Sequence, residues 1–221
     1  MNILITGASG GIGKEVAKRF LESGHTVYGL DIAPPSVEHS AYHHFTVDVK
    51  DQDALPDIPE VSVLFLNAGT QLSEDDIGNN LVGSMNVAEK YTRDNPTLTS
   101  VLFNASASAI SGQEFPEYVA SKAGLVGYMK HLAIRLAPLG VTCNAISLGG
   151  VETPLNTPVM EDDTLWKRIM DVTPMKKWMT PKEVADWVVF LTLTNRSMSG
   201  QNLLIDNGEH DLNMTFVWPE E

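Results

Sequence analysis

Two side chains capable of proton transfer, Tyr118 and Lys122, lie four positions apart in a long helical stretch of the sequence. Residues four apart share one face of an α-helix, so the phenol and the ammonium group would lie side by side. A free tyrosine has a pKa of about 10, and a neighbouring positive charge favours its phenolate form. The pair therefore indicates a general acid or base, although the same spacing also occurs by chance.

A glycine-rich turn at residues 6–13, TGASGGIG, follows a short buried strand and opens an amphipathic helix. Glycine lets the backbone turn tightly and approach a pyrophosphate, and the helix N-terminus offers free N–H groups to it. In this context the turn favours a dinucleotide cofactor over an ordinary loop.

Asp31 ends the second predicted strand, where a carboxylate can accept hydrogen bonds from both adenine-ribose hydroxyls and would repel a 2′-phosphate. The turn itself carries no arginine or lysine, and Lys14 is the nearest candidate for binding a 2′-phosphate. The sequence therefore predicts NAD as the cofactor, with NADP less favoured. The alternative for Asp31 is a solvated carboxylate at a strand end.

Strand and helix patterns alternate along the chain, which predicts one α/β domain over residues 1–221 with a doubly wound parallel sheet of the Rossmann type. The predicted strands are residues 3–5, 26–31, 43–48, 61–67, 98–105, 141–147 and 202–206. The predicted helices follow the glycine turn and cover residues 74–95, 117–137 and 181–194, with a short or irregular connection at 49–60. Residues 148–180 are predicted to be an irregular segment with a short helix near 162–170, and residues 209–221 a C-terminal tail.

The composition excludes several classes of function. A formal net charge of -13 argues against nucleic acid and against an anionic membrane surface as partners. Apolar runs are of strand length, and no signal peptide pattern or membrane span is visible. Cys143 is the single cysteine, which favours the reducing cytoplasm, and it reads as an inert core residue. His43 and His44 are adjacent in a strand and point to opposite faces, so no metal site is expected.

The chain resembles the short-chain dehydrogenase/reductase family over essentially its whole length, and within it the bacterial 3-oxoacyl-(acyl carrier protein) reductases. The turn at 6–13 matches the family's TGxxxGxG, residues 67–69 match its NAG, and residues 118–122 match its YxASK. Asn80 matches its helix asparagine. Residues 146–154 look like its segment after strand six, with Leu148 in place of the usual proline, and GQ at 200–201 and DNG at 206–208 match its closing motifs.

The resemblance implies a mechanism and a set of site residues. Tyr118 would be the general acid or base, Lys122 would lower its pKa and hold the nicotinamide ribose, and Asn80 would hold a water next to Lys122. A serine would bind the substrate oxygen; Ser106 fits the family position and Ser108 is the second candidate. The implied cofactor contacts are Gly7, Ser9, Gly11, Ile12, Gly13, Asp31, Asp48, Val49, Asn67, Ala68, Gly69, Tyr118, Lys122, Val151 and Thr153.

The leading hypothesis is an NAD(P)-dependent enzyme that interconverts a ketone and a secondary alcohol, with 3-oxoacyl thioesters among the candidate substrates. The alternative is a regulatory protein that binds NAD(H) without turnover. The family resemblance also implies a homodimer or homotetramer, and the many apolar positions of the helix after Lys122 (Leu125, Val126, Met129, Leu132 and Ala133) suggest that a partner covers part of it. The resemblance also implies that residues 148–180 form the substrate lid. This segment is shorter than is usual in the family, which predicts a shallow, open site.

Overall fold

A computed structural model describes residues 1–212 of the chain, so most of the predicted tail, including Phe216, Val217 and Trp218, lies outside the described residues. Seven strands form one parallel sheet in the order β3-β2-β1-β4-β5-β6-β7. They are β1 Asn2–Thr6, β2 Thr26–Asp31, β3 Tyr42–Thr46, β4 Val61–Leu66, β5 Ser100–Asn104, β6 Thr142–Leu148 and β7 Asn202–Ile205. The strand order reverses between β1 and β4, and ligands of such sheets bind beyond the carboxyl ends of the strands at that point.

Helices connect the strands and cover both faces of the sheet. The α-helices are α1 Gly11–Glu22, α2 Gly83–Thr92, α3 Ser108–Ser111, α4 Pro116–Leu136, α5 Thr157–Met160, α6 Asp163–Val172 and α7 Pro181–Val189. Two π-helices, Ile77–Val82 and Phe190–Thr194, continue into or out of α-helices, and short 3₁₀ turns occupy Ala137–Leu139 and Pro154–Asn156.

Each face of the sheet has its own hydrophobic core. On one face α1 and α7 pack together over the strands, with Phe20 and Val184 fully buried there. On the other face α2 and α4 cover the strands, with Val87 and Met129 fully buried. Because both faces are covered, the central strands are apolar on both sides, as is typical of parallel sheets.

The predicted fold class and the order of strands and helices are confirmed, while several boundaries differ. The helix predicted over 74–95 begins as the π-helix at Ile77 and ends at Thr92. Apolar periodicity does not separate a π-turn from an α-turn over six residues, so the sequence carried no sign of it. The short helices α3 and α5 were also not predicted. The connection at 49–60 has no helix, as expected.

The apolar positions of α4 do not need a partner subunit to bury them. Leu125, Met129, Leu132 and Ala133 all pack into the chain's own core, and each is at most 6% exposed. The argument for an oligomer from these positions is therefore wrong, since it underestimated how deeply α4 is buried against the sheet. The large apolar side chain that α4 does expose is Ile134.

None of the helices within residues 1–212 has the length and apolar character that a membrane crossing requires.

Candidate active site and cofactor cleft

The glycine-rich turn between β1 and α1 adopts a backbone that requires glycine. Gly7 has φ +67° and Gly11 has φ +46°, in the left-handed region that L side chains rarely adopt. A Cβ atom on Gly13 would lie 2.0 Å from the carbonyl oxygen of Gly7, so only glycine lets α1 pack this close to the turn. Together with Ser9 and Ile12, the turn lines a cleft of about 1060 Å³. The N-terminus of α1 therefore borders a cavity, as a phosphate-binding turn requires.

Asp31 lies at the carboxyl end of β2 in the lining of the same cleft. One carboxylate oxygen accepts the backbone N–H of Ser9 at 2.8 Å, and the other accepts the N–H of Ala33 at 2.9 Å. These bonds fix the carboxylate, and each oxygen keeps further acceptor capacity for a ligand. Among the lining residues that the structure describes, Lys122 is the single lysine or arginine.

Asn67, at the carboxyl end of β4, ties this strand to β1. The N–H groups of Asn67 and Ala68 both donate to the hydroxyl oxygen of Thr6, each at 2.9 Å. The side-chain amide of Asn67 donates to the carbonyl oxygens of Thr6 and Gly7 at 3.1 and 3.3 Å. All of residues 67–69 line the cleft, so the predicted NAG motif lies beside the glycine turn.

The remaining predicted cofactor contacts come from two other loops of the lining. Asp48 and Val49 follow β3, and Val151 and Thr153 follow β6; all four line the cleft. The Thr153 side chain lies against the turn, since a Cβ on Gly11 would be 3.4 Å from its methyl group. Thus every cofactor contact expected from the sequence except Gly13, which packs behind the turn, borders one cavity.

The segment 148–180 covers one side of the cleft more fully than its length predicts. It contributes apolar side chains to the lining of the cleft, among them Leu155, Val159, Ile169 and Trp178. Trp178 is 8% exposed and packs edge-to-face against Trp166 of α6, with ring centroids 5.0 Å apart. A Cβ on Gly150 would lie 2.0 Å from the indole of Trp178, so glycine is needed for this packing. The short segment thus forms one wall of the cleft, and the expectation of a shallow, open site stays a prediction.

Tyr118 and Lys122 lie in the first two turns of α4, which begins at Pro116. The Nζ atom of Lys122 donates a hydrogen bond of 2.9 Å to the carbonyl oxygen of Asn104 and lies 5.6 Å from the centroid of the Tyr118 ring. Both side chains line the cleft, and Lys122 is 5% exposed. The structure thus places the two groups side by side, as the spacing predicts.

Burial controls the protonation of this pair. It lowers the pKa of Lys122 to about 8, although the negative charges of Glu114 and Asp76 act to raise it. Burial also raises the pKa of Tyr118 to about 12, and a hydrogen bond with Ser106 offsets only part of that effect. The expectation that Lys122 and the positive charge of the nicotinamide lower the pKa of Tyr118 stays a prediction; among the protein's own groups, desolvation of the phenolate has the largest effect.

The two candidate serines have different positions at the end of β5. Ser106 lines the cleft, and its hydroxyl acts to lower the pKa of Tyr118. Ser108 opens α3, is 1% exposed, and donates its hydroxyl proton to the Ser106 oxygen at 2.9 Å. Ser106 is therefore placed to meet a ligand next to Tyr118, while Ser108 supports Ser106.

Asn80 lies in the π-helix and is fully buried. Its amide nitrogen donates to the carbonyl oxygen of Thr70 and to the hydroxyl of Ser121, both at 2.9 Å, and its oxygen accepts the N–H of Thr70 at 2.7 Å. A Cβ on Gly69 would lie 2.7 Å from that amide oxygen and 3.5 Å from the Nζ of Lys122. Both amide hydrogens are thus committed to protein acceptors, so the side chain holds the loop after β4 against α4.

The histidines and the cysteine that were set aside, His43, His44 and Cys143, do not line the cleft. His43 stacks on Tyr28 while His44 lies near Tyr42, on opposite faces of the sheet. Within residues 1–212, no group of three histidine, cysteine or acidic side chains is arranged to hold a metal ion. Burial raises the pKa of Cys143 to about 12, which makes its thiolate inaccessible at neutral pH.

The cleft fits a nicotinamide dinucleotide on two observations that do not depend on motifs. The glycines of the turn form a cradle that a Cβ would fill. Two polar atoms of lining residues, Oδ1 of Asn104 and Nε1 of Trp178, are buried without a hydrogen-bond partner among residues 1–212. Because buried polar atoms are usually paired, an unpaired acceptor and an unpaired donor in one cleft suit a polar ligand.

Comparison with known proteins identifies the family. The family model described as Enoyl-(Acyl carrier protein) reductase matches residues 67–210, and the one described as NAD dependent epimerase/dehydratase family matches residues 3–125. An uncharacterized oxidoreductase of Schizosaccharomyces pombe is 31% identical, over 93% of this chain and 89% of its own length. The chain belongs to the short-chain dehydrogenase/reductase family. It is therefore an oxidoreductase that acts on CH–OH groups with NAD(P).

Other relatives of this short-chain dehydrogenase/reductase carry different names. A glucose 1-dehydrogenase of Gluconobacter oxydans is 27% identical, over 93% of this chain and 90% of its own. A solved short-chain dehydrogenase/reductase family oxidoreductase of Burkholderia thailandensis is 29% identical, with a TM-score of 0.87 over 96% of this chain and 93% of its own. A 3-ketoacyl-(acyl-carrier-protein) reductase of Brucella melitensis, solved with NADH, is 26% identical, with a TM-score of 0.83 over 94% and 97% of the two chains.

Several lining residues of this dehydrogenase/reductase were missed by sequence reasoning. Gln113 and Glu114 precede α4, Glu209 and His210 follow β7, and Asn104 ends β5. Asn104 could have been found, since it ends the strand directly before the candidate serine. The other four carry no motif, and only the meeting of two distant loops brings them together.

The cofactor turn gives a test with a matched control. Gly13→Ala should lower the affinity for NADH at least tenfold and destabilise the fold, because the new methyl group meets the Gly7 carbonyl. Gly127→Ala, at an exposed position of α4 with open space around it, should stabilise the protein by up to about 1 kcal/mol. NADH titration by fluorescence and urea unfolding measure both effects; equal NADH affinities in the two variants would contradict this account of the turn.

Proposed function

We propose that the protein interconverts a ketone and a secondary alcohol with NAD(H), and that Tyr118, Lys122 and Ser106 carry the proton chemistry. The convergence of these three side chains on one wall of the cleft supports the proposal most directly, since the glycine turn borders the same cleft. A regulatory protein that binds NAD(H) without turnover gains no support, because a buried tyrosine–lysine pair has no use in a simple sensor.

In reduction, Tyr118 gives its phenolic proton to the substrate oxygen. With a pKa raised to about 12, the phenol is protonated at neutral pH and is available as an acid. Ser106 donates a hydrogen bond to the same oxygen as negative charge develops on it. Lys122, with a pKa lowered to about 8, is still mostly protonated at neutral pH and stabilises the phenolate that remains. The bound nicotinamide supplies the hydride.

The glycine turn would hold the cofactor's pyrophosphate, Asp31 would hold its adenine ribose, and residues 67–69 would form part of the wall beside it. We propose NAD(H) over NADP(H) because Asp31 is fixed at the ribose position by two backbone N–H groups. A 2′-phosphate there would face a carboxylate, and the described lining offers no arginine to neutralise it.

For the substrate, we propose a small, uncharged carbonyl compound or polyol. Glu114 and Glu209 line the cleft together with His210, while Lys122 is engaged with Tyr118. With a net charge of -13, the chain would repel the acidic acyl carrier protein. Two relatives bear the names of a glucose dehydrogenase and a 3-ketoacyl-(acyl-carrier-protein) reductase, so sugars and 3-oxoacyl thioesters are the informative pair to compare.

Turnover with and without the phenol tests the reaction itself. The wild type is assayed with NADH against a panel of small ketones and 3-oxoacyl thioesters, and with NAD⁺ against sugars. Tyr118→Phe should lower kcat by about 100-fold or more, with NADH binding nearly unchanged. Tyr128→Phe is the matched control, since Tyr128 lies on the same helix and bonds Glu89 at 2.6 Å. Wild-type rates in Tyr118→Phe would refute the mechanism.

Cofactor preference tests the role of Asp31. The dissociation constant of NADPH should exceed that of NADH in the wild type. Asp31→Asn should lower the ratio of the two constants, because it removes the repulsion between the carboxylate and the 2′-phosphate of NADPH. Asp57→Asn changes the charge equally at a fully exposed side chain and should leave the ratio unchanged. The prediction fails if the wild type binds NADPH more tightly.

The two serines give a third test. Ser106→Ala should lower kcat far more than Ser108→Ala, since Ser106 lines the cleft together with Tyr118 whereas Ser108 does not. Ser108→Ala should have a smaller effect, through loss of its bond to Ser106. Steady-state kinetics of both variants decide the matter, and the reverse ranking assigns the role to Ser108.

A further inference from the structure

A buried carboxylate that the mechanism above does not use lies behind the catalytic helix. Asp76 precedes the π-helix and is 1% exposed. One oxygen accepts the hydroxyls of Thr70 and Ser73 at 2.8 and 2.6 Å and the N–H of Ser73 at 3.2 Å; the other accepts the N–H of Leu72 at 2.9 Å. Burial alone would raise the pKa of Asp76, but these bonds outweigh it and hold the pKa below its usual range. Asp76 is therefore a buried negative charge at neutral pH.

Hydrogen bonds connect Asp76 to the helix that carries the proton donor. Its partner Thr70 exchanges two backbone bonds with the amide of Asn80, at 2.7 and 2.9 Å. Asn80 in turn donates to the hydroxyl of Ser121 at 2.9 Å, and that hydroxyl donates to the carbonyl oxygen of Tyr118 at 2.7 Å. The path thus runs from the loop after β4 to the turn of α4 that holds Tyr118 and Lys122.

We propose that Asp76 is a positioning residue for the reaction: through Thr70 and Asn80 its carboxylate fixes the turn of α4 that bears Tyr118 and Lys122, and its charge biases their protons. The inference rests on the proposed function. It differs from a structural role in a way that can be measured, because a structural residue would change stability without changing the titration of the pair.

The sign of the charge effect follows from the groups that face the pair. Glu114 and Asp76 both raise the pKa of Lys122 and the pKa of Tyr118, Glu114 more strongly, while Ser106 lowers that of Tyr118. Removing the charge of Asp76 therefore lowers both pKa values. In the direction of alcohol oxidation, where Tyr118 acts as base, activity rises with pH through its pKa. The midpoint of this rise should move to lower pH when Asp76 is neutralised.

The experiment compares Asp76→Asn with Asp75→Asn, which removes an equal charge one residue away. Asp75 is half-exposed and pairs with Lys50 at 3.3 Å, outside the path. Asp76→Asn should lower kcat by about 100-fold, as small misplacements of catalytic groups do, with little change in the NADH dissociation constant. The pH midpoint of oxidation should fall in this variant, while Asp75→Asn keeps both wild-type values.

Two further measurements keep the inference falsifiable. An NMR titration of lysine Cε follows the pKa of Lys122 without any substrate and should show a lower pKa in Asp76→Asn. Because this measurement needs no turnover, it tests the inference even if an active Tyr118→Phe refutes the proposed function. If Asp76→Asn does not fold, Thr70→Val removes the hydroxyl link alone and should lower kcat with an unchanged pH midpoint. A wild-type kcat and an unchanged Lys122 pKa, with only a lower melting temperature, would overturn the inference, as would a fully active Thr70→Val.

Discussion

The side chain of Asn67 joins the two halves of the cleft into one unit. Its amide nitrogen donates to the carbonyls of the glycine turn, and its oxygen accepts the amide of Asn104 at 2.9 Å. The carbonyl of Asn104 in turn accepts the ammonium group of Lys122. Since β1, β4 and β5 are neighbours in the sheet, these polar groups meet at adjacent strand ends. The sheet therefore sets a fixed separation between the glycine turn and Lys122, the lysine beside Tyr118.

A second constraint is the low polarity around that lysine. Burial moves the pKa of Lys122 and that of Tyr118 in opposite directions, to about 8 and about 12, because it penalises the charged form of each. The raised pKa of Tyr118 leaves the phenol protonated near neutral pH, which suits a proton donor. The acidic side chains of Glu114 and Asp76 raise the pKa of both groups, and Ser106 lowers that of Tyr118. Groups from three separate segments therefore set the protonation of the pair.

How far the sequence predicts this arrangement depends on whether a residue's role is local. The glycine turn, Asp31 and the Tyr118–Lys122 pair follow from short patterns, and all of them line the cleft. The partners of Asn80 do not follow from any pattern, because Thr70 and Ser121 come from separate segments that only packing brings together. The depth of α4 was underestimated for a related reason: its apolar positions suggested a second subunit, whereas the chain's own sheet covers them.

The two ends of the lid are fastened to each other. The N–H of Glu152 donates to the carbonyl of Met179 at 2.9 Å, and the N–H of Met179 donates to the carbonyl of Gly150 at 3.1 Å. Residues 153–177 therefore form a loop whose two ends are held together by backbone hydrogen bonds. Neither Tyr118 nor Lys122 lies in that loop or hydrogen-bonds to it. Exchanging this loop for that of another family member would therefore alter one wall of the cleft while leaving the hydrogen bonds of Tyr118 and Lys122 in place.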